Sequence, residues 1–262
     1  AMRRARSPEA RGPASPGTAT KRVRGDTAGQ LGLNDPAVLV GTFDRPNLIY
    51  RVVPKDDVFR QTADALRRHE KQAAIVYCIS RRDTEDMAEH LRSVGIRAAH
   101  YHAGIDADLR RRTQDDFAEE KIDVVVATVA FGMGIDRSDV RCVIHAAMPK
   151  TIEHYQQETG RAGRDGLPAE CVLFYSYADV AKWEGLIERS AAEAESPEEV
   201  IRAMTGLLRE MQRLCSGFPC RHRAISEYFG QPYPRPGCEA GDICLGEAGG
   251  VEDAAVPAPK AV

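Results

Sequence analysis

Residues 73–101 read AAIVYCISRRDTEDMAEHLRSVGIRAAHY. The apolar run at 73–78 predicts a strand, 82–94 a helix, and 98–101 a second short strand. Outward from this unit the pattern continues. A helix is expected over 107–120, strands over 123–127 and 141–145, a helix over 152–158 and a strand over 171–175, while on the N-terminal side strands at 38–43 and 48–53 precede a helix at 56–70. Such alternation predicts an α/β fold, a mostly parallel sheet with helices on both faces. In open sheets of this kind ligands collect at the carboxyl ends of the strands. The chemically informative residues fall there: 77–82 after the strand at 73–78, His102-Ala103-Gly104 after the next, 128–136 after the third, and an arginine-rich stretch after the fourth.

That last stretch, residues 155–166, is Tyr-Gln-Gln-Glu-Thr-Gly-Arg-Ala-Gly-Arg-Asp-Gly. Arg161 and Arg164 are three apart, so on a helical turn they project from nearly one face, and Gly160 and Gly163 leave that face without bulk. Two guanidiniums can then converge on one small anion. Arginine suits this because its planar fork stays charged and meets phosphate oxygens in pairs. In residues 127–136, Gly132 and Gly134 permit a tight turn with exposed N–H groups. Thr128 offers a hydroxyl to a phosphate there, and Asp136 a carboxylate to a ribose hydroxyl.

The string QETGRAGRDGLPAE at 157–170 resembles the sixth motif of the RecQ group of superfamily 2 DNA helicases. Residues 127–136 are similar to the fifth motif, 77–81 to the fourth, 101–104 to the short segment that follows it, and 18–24 to the tail of the third. The resemblance implies a RecA-like second motor domain with Arg161 and Arg164 as catalytic residues and Asp136, Gly134 and Gln157 as nucleotide contacts. Ser80, Arg81, His102 and Thr128 are implied as DNA-phosphate contacts, a sequence-independent mode suited to a protein tracking along a strand. The implied partners are DNA, as single strand and as junctions with duplex, and a first RecA-like motor domain in cis or in trans; the implied setting is DNA repair and recombination. Residues 43–47, Phe-Asp-Arg-Pro-Asn, read first as a connection between strands, because Pro46 holds Arg45 extended; they also resemble the family's entry into this domain.

The chain contains no G-x-x-x-x-G-K-[ST] string and no D-E-x-H string, the elements that cradle a triphosphate and hold Mg²⁺ in this chemistry. ATP and Mg²⁺ are therefore expected only together with the first motor domain. Two readings follow. One is the C-terminal half of an ATP-dependent 3'-to-5' DNA helicase, inactive by itself; the other is a DNA-binding or regulatory zinc module that has lost its motor.

After residue 177 strand signals stop, and helices are expected over 178–192, 197–214 (capped by Ser196, with Pro197 in its first position) and 220–229. Residues 230–246 are rich in Pro and Gly. Cys220, Cys238 and Cys244 match the zinc subdomain of the same family, with one departure: Gly241 stands where the family's loop has its middle Cys. Zinc takes four ligands, so Cys215 is the expected fourth, with Asp242 or His222 as substitutes. Cys78, Cys142 and Cys171 lie in apolar strands and read as small core residues.

The organisation expected is a disordered N-terminus with a remnant of the first motor domain at 1–34, a RecA-like domain at 35–177, a helical zinc-binding subdomain at 178–246 and a disordered tail at 247–262. The 262 residues, 43% of them hydrophobic, have room for this. A net charge of −3 does not announce a nucleic-acid binder, though binding needs only a local basic stripe. No apolar run is long enough to cross a bilayer. Seven Cys, four of them between 215 and 244, suit a metal site in a reducing compartment; a cytoplasmic location is expected, nucleoid-associated in a bacterium.

Overall fold

The computed structural model describes residues 20–31, 40–128, 137–217 and 220–247. The strands are β1 (Leu48–Pro54), β2 (Ala74–Tyr77), β3 (Ala98–Tyr101), β4 (Val124–Ala127), β5 (Cys142–His145) and β6 (Ala169–Tyr175). They form one sheet in the order β1-β6-β5-β2-β4-β3, with every ladder parallel. β2, β4 and β5 are buried throughout their length. That is why they read as continuous apolar runs without polar alternation. Period two still sorts their side chains. Ile75, Tyr77, Val125, Val143 and Leu173 face one core, and Ala74, Val76, Val124, Ile144 and Val172 face the other.

The helices follow from caps and apolar stripes. α2 (Val58–Arg67) and α3 (Arg81–Ser93) cover the second core with Ala63, Leu66, Met87 and Leu91. Asp57 caps α2 by accepting from the Arg60 N–H, and α3 opens on a capping box between Ser80 and Asp83. α4 (Ala107–Ala118), α5 (Ile152–Thr159), α7 (Glu198–Ser216) and α8 (Arg221–Tyr228) contribute to the first core through Phe117, Tyr155, Leu208, Met211 and Ile225. α6 (Tyr177–Glu193) adds Val180 and Ile187. The helical region after β6 therefore shares the hydrophobic core of the sheet.

Two expectations are corrected. The strand at 38–43 is absent from its described part: residues 40–47 are irregular, because Phe43 stacks on Phe229 at 4.1 Å and its N–H donates to the Gln231 side chain at 2.8 Å. α7 begins one residue later than expected, with Pro197 in the cap position and no side-chain cap bond. Within residues 1–34, Lys21–Gln30 form a helix, α1, capped by Thr20. No helix of the described residues is long and apolar enough to cross a membrane.

Candidate functional site

α5 ends at Thr159, and Arg161 and Arg164 lie on the turns that follow. The expected helical face is thus replaced by a tighter backbone. Gly160 closes the helix where a Cβ would come within 2.8 Å of the Gln156 carbonyl oxygen, and Gly163 takes φ +54°, where a Cβ would stand 2.5 Å from the Asn47 side chain. Glycine alone fits both positions. The two arginines differ in exposure: Arg161 is half-buried, while Arg164 is exposed. Burial raises the Tyr77 pKa well above its ordinary value, with Glu158 adding to the rise and Arg161 opposing it. Behind Tyr77 lies a stacked His145 at 5.4 Å, whose Nε2 meets the buried Glu158 carboxylate at 2.8 Å. Gln157 is exposed on α5, one turn before Arg161.

The arginine turn is clamped from the N-terminal side of β1. Arg45 donates to the carbonyl oxygens of Ala162 and Gly163 at 3.1 and 2.9 Å. Asn47 donates to those of Gly163 and Leu167 at 2.9 and 3.0 Å. The connection at 43–47 therefore does more than join strands. On its other side Asp44 accepts from His222 Nδ1 at 2.8 Å and pairs with Arg235. Sequence reading missed this clamp because a Pro-containing extended string looks like an ordinary connection. Its signals were an amide, a carboxylate and a guanidinium packed into five residues and the resemblance of 43–47 to the family's entry into this domain.

At the carboxyl ends of β2, β3 and β4 lie four of the expected DNA contacts. Ser80 caps α3, accepting from the Asp83 N–H at 3.1 Å. Arg81 is exposed and lies across Gly104, whose added Cβ would meet its Nη1 at 3.0 Å. Thr128 follows β4 and is half-buried, its N–H donating to the Tyr101 carbonyl. His102 departs from expectation. It is 3% exposed, its Nδ1 accepts from the Gly104 N–H at 3.1 Å, and its Nε2 meets Glu85 at 2.8 Å. With both nitrogens engaged, it orients the Gly104 turn and offers no nitrogen to a phosphate. Gly134 and Asp136 lie outside the described residues.

The sulfurs of Cys220, Cys238 and Cys244 lie within 4.8 Å of one another. Cys238 accepts from the Ala240 N–H at 3.4 Å and Cys244 from the Cys238 N–H at 3.5 Å, bonds that favour thiolates. Burial pushes the Cys238 thiol up to about 12, while the Cys238 N–H pulls Cys244 below its ordinary value. Three soft donors at this separation fit zinc. Cys215, the expected fourth ligand, is corrected by its placement: it is 1% exposed inside the main core on α7, and among the described residues no fourth ligand atom joins the three sulfurs. Cys142 and Cys171 are buried in β5 and β6 as expected, and Cys78 is buried just past the end of β2; burial pushes all three thiols up.

The loop bearing Cys238 and Cys244 is tied to the sheet. Tyr50 N–H donates to the Ala240 carbonyl at 3.1 Å and Asp242 N–H to the Tyr50 carbonyl at 2.9 Å. Asp242 Oδ1 and Oδ2 accept from the Arg221 guanidinium at 2.9 and 3.0 Å, and Oδ2 also from the Val52 N–H at 2.9 Å.

Compared with known proteins, residues 57–166 match the family described as helicase conserved C-terminal domain, and residues 177–245 match RecQ zinc-binding. The chain is 42% identical over 230 residues to an ATP-dependent DNA helicase RecQ of Pasteurella multocida, covering 87% of the chain and 35% of that relative. It is 39% identical over 235 residues to the ATP-dependent DNA helicase hus2/rqh1 of Schizosaccharomyces pombe, covering 88% of the chain and 17% of that protein. The chain thus spans a minor part of the length of these relatives. Among solved structures, Saccharomyces cerevisiae Dbp5 bound to RNA and ADP BeF3 superposes with a TM-score of 0.56 at 17% identity, over 74% of this chain and 54% of that one, a likeness of fold.

Proposed function

Since a chain that carries the conserved helicase C-terminal domain and the RecQ zinc-binding domain in tandem is a RecQ-type helicase C-terminal half, we propose that it works as the second motor domain of an ATP-dependent 3'-to-5' DNA helicase. The observation that carries this reading is the arginine turn: Gly160 and Gly163 shape it, Arg45 and Asn47 clamp it, and Arg164 is held out at the surface. A guanidinium fixed in this way stabilises charge on a phosphoryl group being transferred. Because the sequence lacks the triphosphate cradle and the carboxylate that holds Mg²⁺, ATP is taken to be bound chiefly by a first motor domain facing this turn. Arg164 then acts as the finger, and the half-buried Arg161 sets its approach; Gln157, Gly134 and Asp136 complete the nucleotide contacts.

DNA is proposed to run along the edge formed by Ser80, Arg81 and Thr128, which lie at neighbouring strand ends and offer a hydroxyl, a guanidinium and a hydroxyl to phosphates. Cys220, Cys238 and Cys244 would hold zinc, which cross-links residues 238–244 to α8 and so fixes the strand-like contact with Tyr50. The seven free thiols among the described residues suit a reducing cytoplasm, in a protein that serves DNA repair and recombination. A phosphate-release assay tests the division of labour. This chain alone should show no DNA-stimulated hydrolysis, and joining it to a first motor domain bearing a triphosphate cradle should produce it. Turnover by the isolated chain would overturn the reading.

A further inference from the structure

We propose that this chain holds its metal through three thiolates only, and that the fourth coordination position is taken by an exchangeable ligand from solution. The inference rests on reading the thiol cluster as a zinc site and concerns what this particular sequence does to that site. Among the described residues, the carboxylate and imidazole closest in sequence to the cluster, Asp242 and His222, are committed elsewhere. Asp242 Oδ1 accepts from Arg221 Nε at 2.9 Å and from the Ile243 N–H at 2.8 Å, and its Oδ2 accepts from Arg221 Nη2 at 3.0 Å and the Val52 N–H at 2.9 Å. Turning that carboxylate toward a metal would leave the buried Arg221 unpaired, a costly exchange. His222 faces Asp44 with Nδ1 at 2.8 Å, and the carbonyl oxygens of Leu48 and Ala240 with Nε2 at 3.0 and 3.3 Å. All three are acceptors, so neither nitrogen is available. Cys215 sits in the main core.

Position 241 lies beside the cluster. A Cβ added at Gly241 would lie 3.4 Å from Cys238 Sγ, and 3.7 Å from both Arg221 Cγ and the Tyr50 carbonyl oxygen. Adjacent thiolates around tetrahedral zinc stand about 3.8 Å apart at a bond length of about 2.3 Å. A side chain at 241 would therefore start beside the cluster, at ordinary contact distances and without the positive φ that penalises side chains. With glycine there, no His, Cys, Asp or Glu ligand atom of the described residues joins the three sulfurs. Cys244 is only partly buried, so the cluster meets the surface on that side and solution ligands have a route. A zinc with three protein ligands and one solvent position is the open arrangement, in contrast to the closed four-ligand sites that only support a fold.

Cobalt substitution reads this directly. The full chain is stripped of metal, loaded with one equivalent of Co²⁺, and followed by its thiolate-to-cobalt charge-transfer and visible d–d bands while imidazole is titrated in. Wild type should show charge-transfer intensity for three thiolates and a saturable shift of the d–d bands. Gly241→Cys should show the intensity of four thiolates, no shift with imidazole, and slower loss of zinc to a chelator. Bands in wild type that ignore imidazole, or that change in Cys215→Ala, would show a fourth ligand from the protein and overturn the inference while leaving the metal site standing. Failure of wild type to take up either Co²⁺ or Zn²⁺ would remove the site itself and the inference with it.

Discussion

The side-chain amide of Asn47 donates to the Gly163 carbonyl oxygen at 2.9 Å across the turn that carries Arg164, and a second bond to Leu167 at 3.0 Å closes the same clamp. Replacing Asn47 with Ala removes both donors at a stability cost of about 1–2 kcal/mol. In the chain joined to its first motor domain the expected result is a fall in kcat for ATP with little change in DNA affinity. Steady-state kinetics beside a DNA titration check this. An unchanged kcat would mean the turn holds its shape without the clamp.

Gly163→Ala attacks the same turn from the backbone. The residue takes φ +54° and its new Cβ would fall 2.5 Å from Asn47 Nδ2 and 2.7 Å from the Leu167 carbonyl oxygen. A loss of about 1–3 kcal/mol is expected, from strain and displacement together. Urea denaturation monitored by circular dichroism measures it, and a variant as stable as wild type would show that the turn shifts freely.

Arg221 and Asp242 form a buried ion pair, with side chains 5% and 4% exposed, that ties α8 to the loop carrying Cys238 and Cys244. Asp242→Ala leaves the guanidinium buried without its partner. The expected cost is about 3–5 kcal/mol. Denaturant midpoints of the metal-free chain separate this cost from any change in metal retention.

Glu170 predicts a pH dependence. Burial raises its pKa, but hydrogen bonds from His69 and Arg68 and the charges of Arg68 and Arg51 prevail and bring it to about 2. A carboxyl whose folded pKa is depressed contributes stability above its unfolded pKa and loses that contribution as pH falls toward the folded value. The stability gap between wild type and Glu170→Gln should therefore be full at pH 7 and shrink from about pH 5 toward about pH 2. Urea midpoints at pH 7, 5 and 4 follow it; a gap that widens with acid would contradict the assignment.

The sheet was legible because parallel strands buried on both faces leave uninterrupted apolar runs, and residues 73–78, 123–127 and 141–145 carry them. Segment 38–43 carries a similar run, but the structure uses Phe43 to stack on Phe229, a long-range contact that no local pattern reports. The same limit applies at the site. Spacing revealed Arg161 and Arg164, yet the charges of both act on the buried Tyr77, 84 and 87 positions away in the sequence, which no local pattern reports. His102 sits at the expected strand end, but its Nε2 is engaged by Glu85 on a neighbouring helix. Among the thiols, Cys215 was attractive by proximity in sequence. Helix α7 turns it into the main core, to which Leu214 and Met211 also belong, and away from the thiol cluster.

The measurement that bears most directly on the account is DNA-stimulated ATP hydrolysis by the chain joined to a first motor domain, compared between wild type and Arg164→Ala with DNA affinity determined on the same preparations. A finger arginine is worth on the order of a thousandfold in rate or more. Arg164→Ala should lose hydrolysis by a factor of that size with DNA affinity nearly intact. Hydrolysis that survives the substitution, or a parallel loss of DNA binding that makes Arg164 a backbone-phosphate contact, would contradict it.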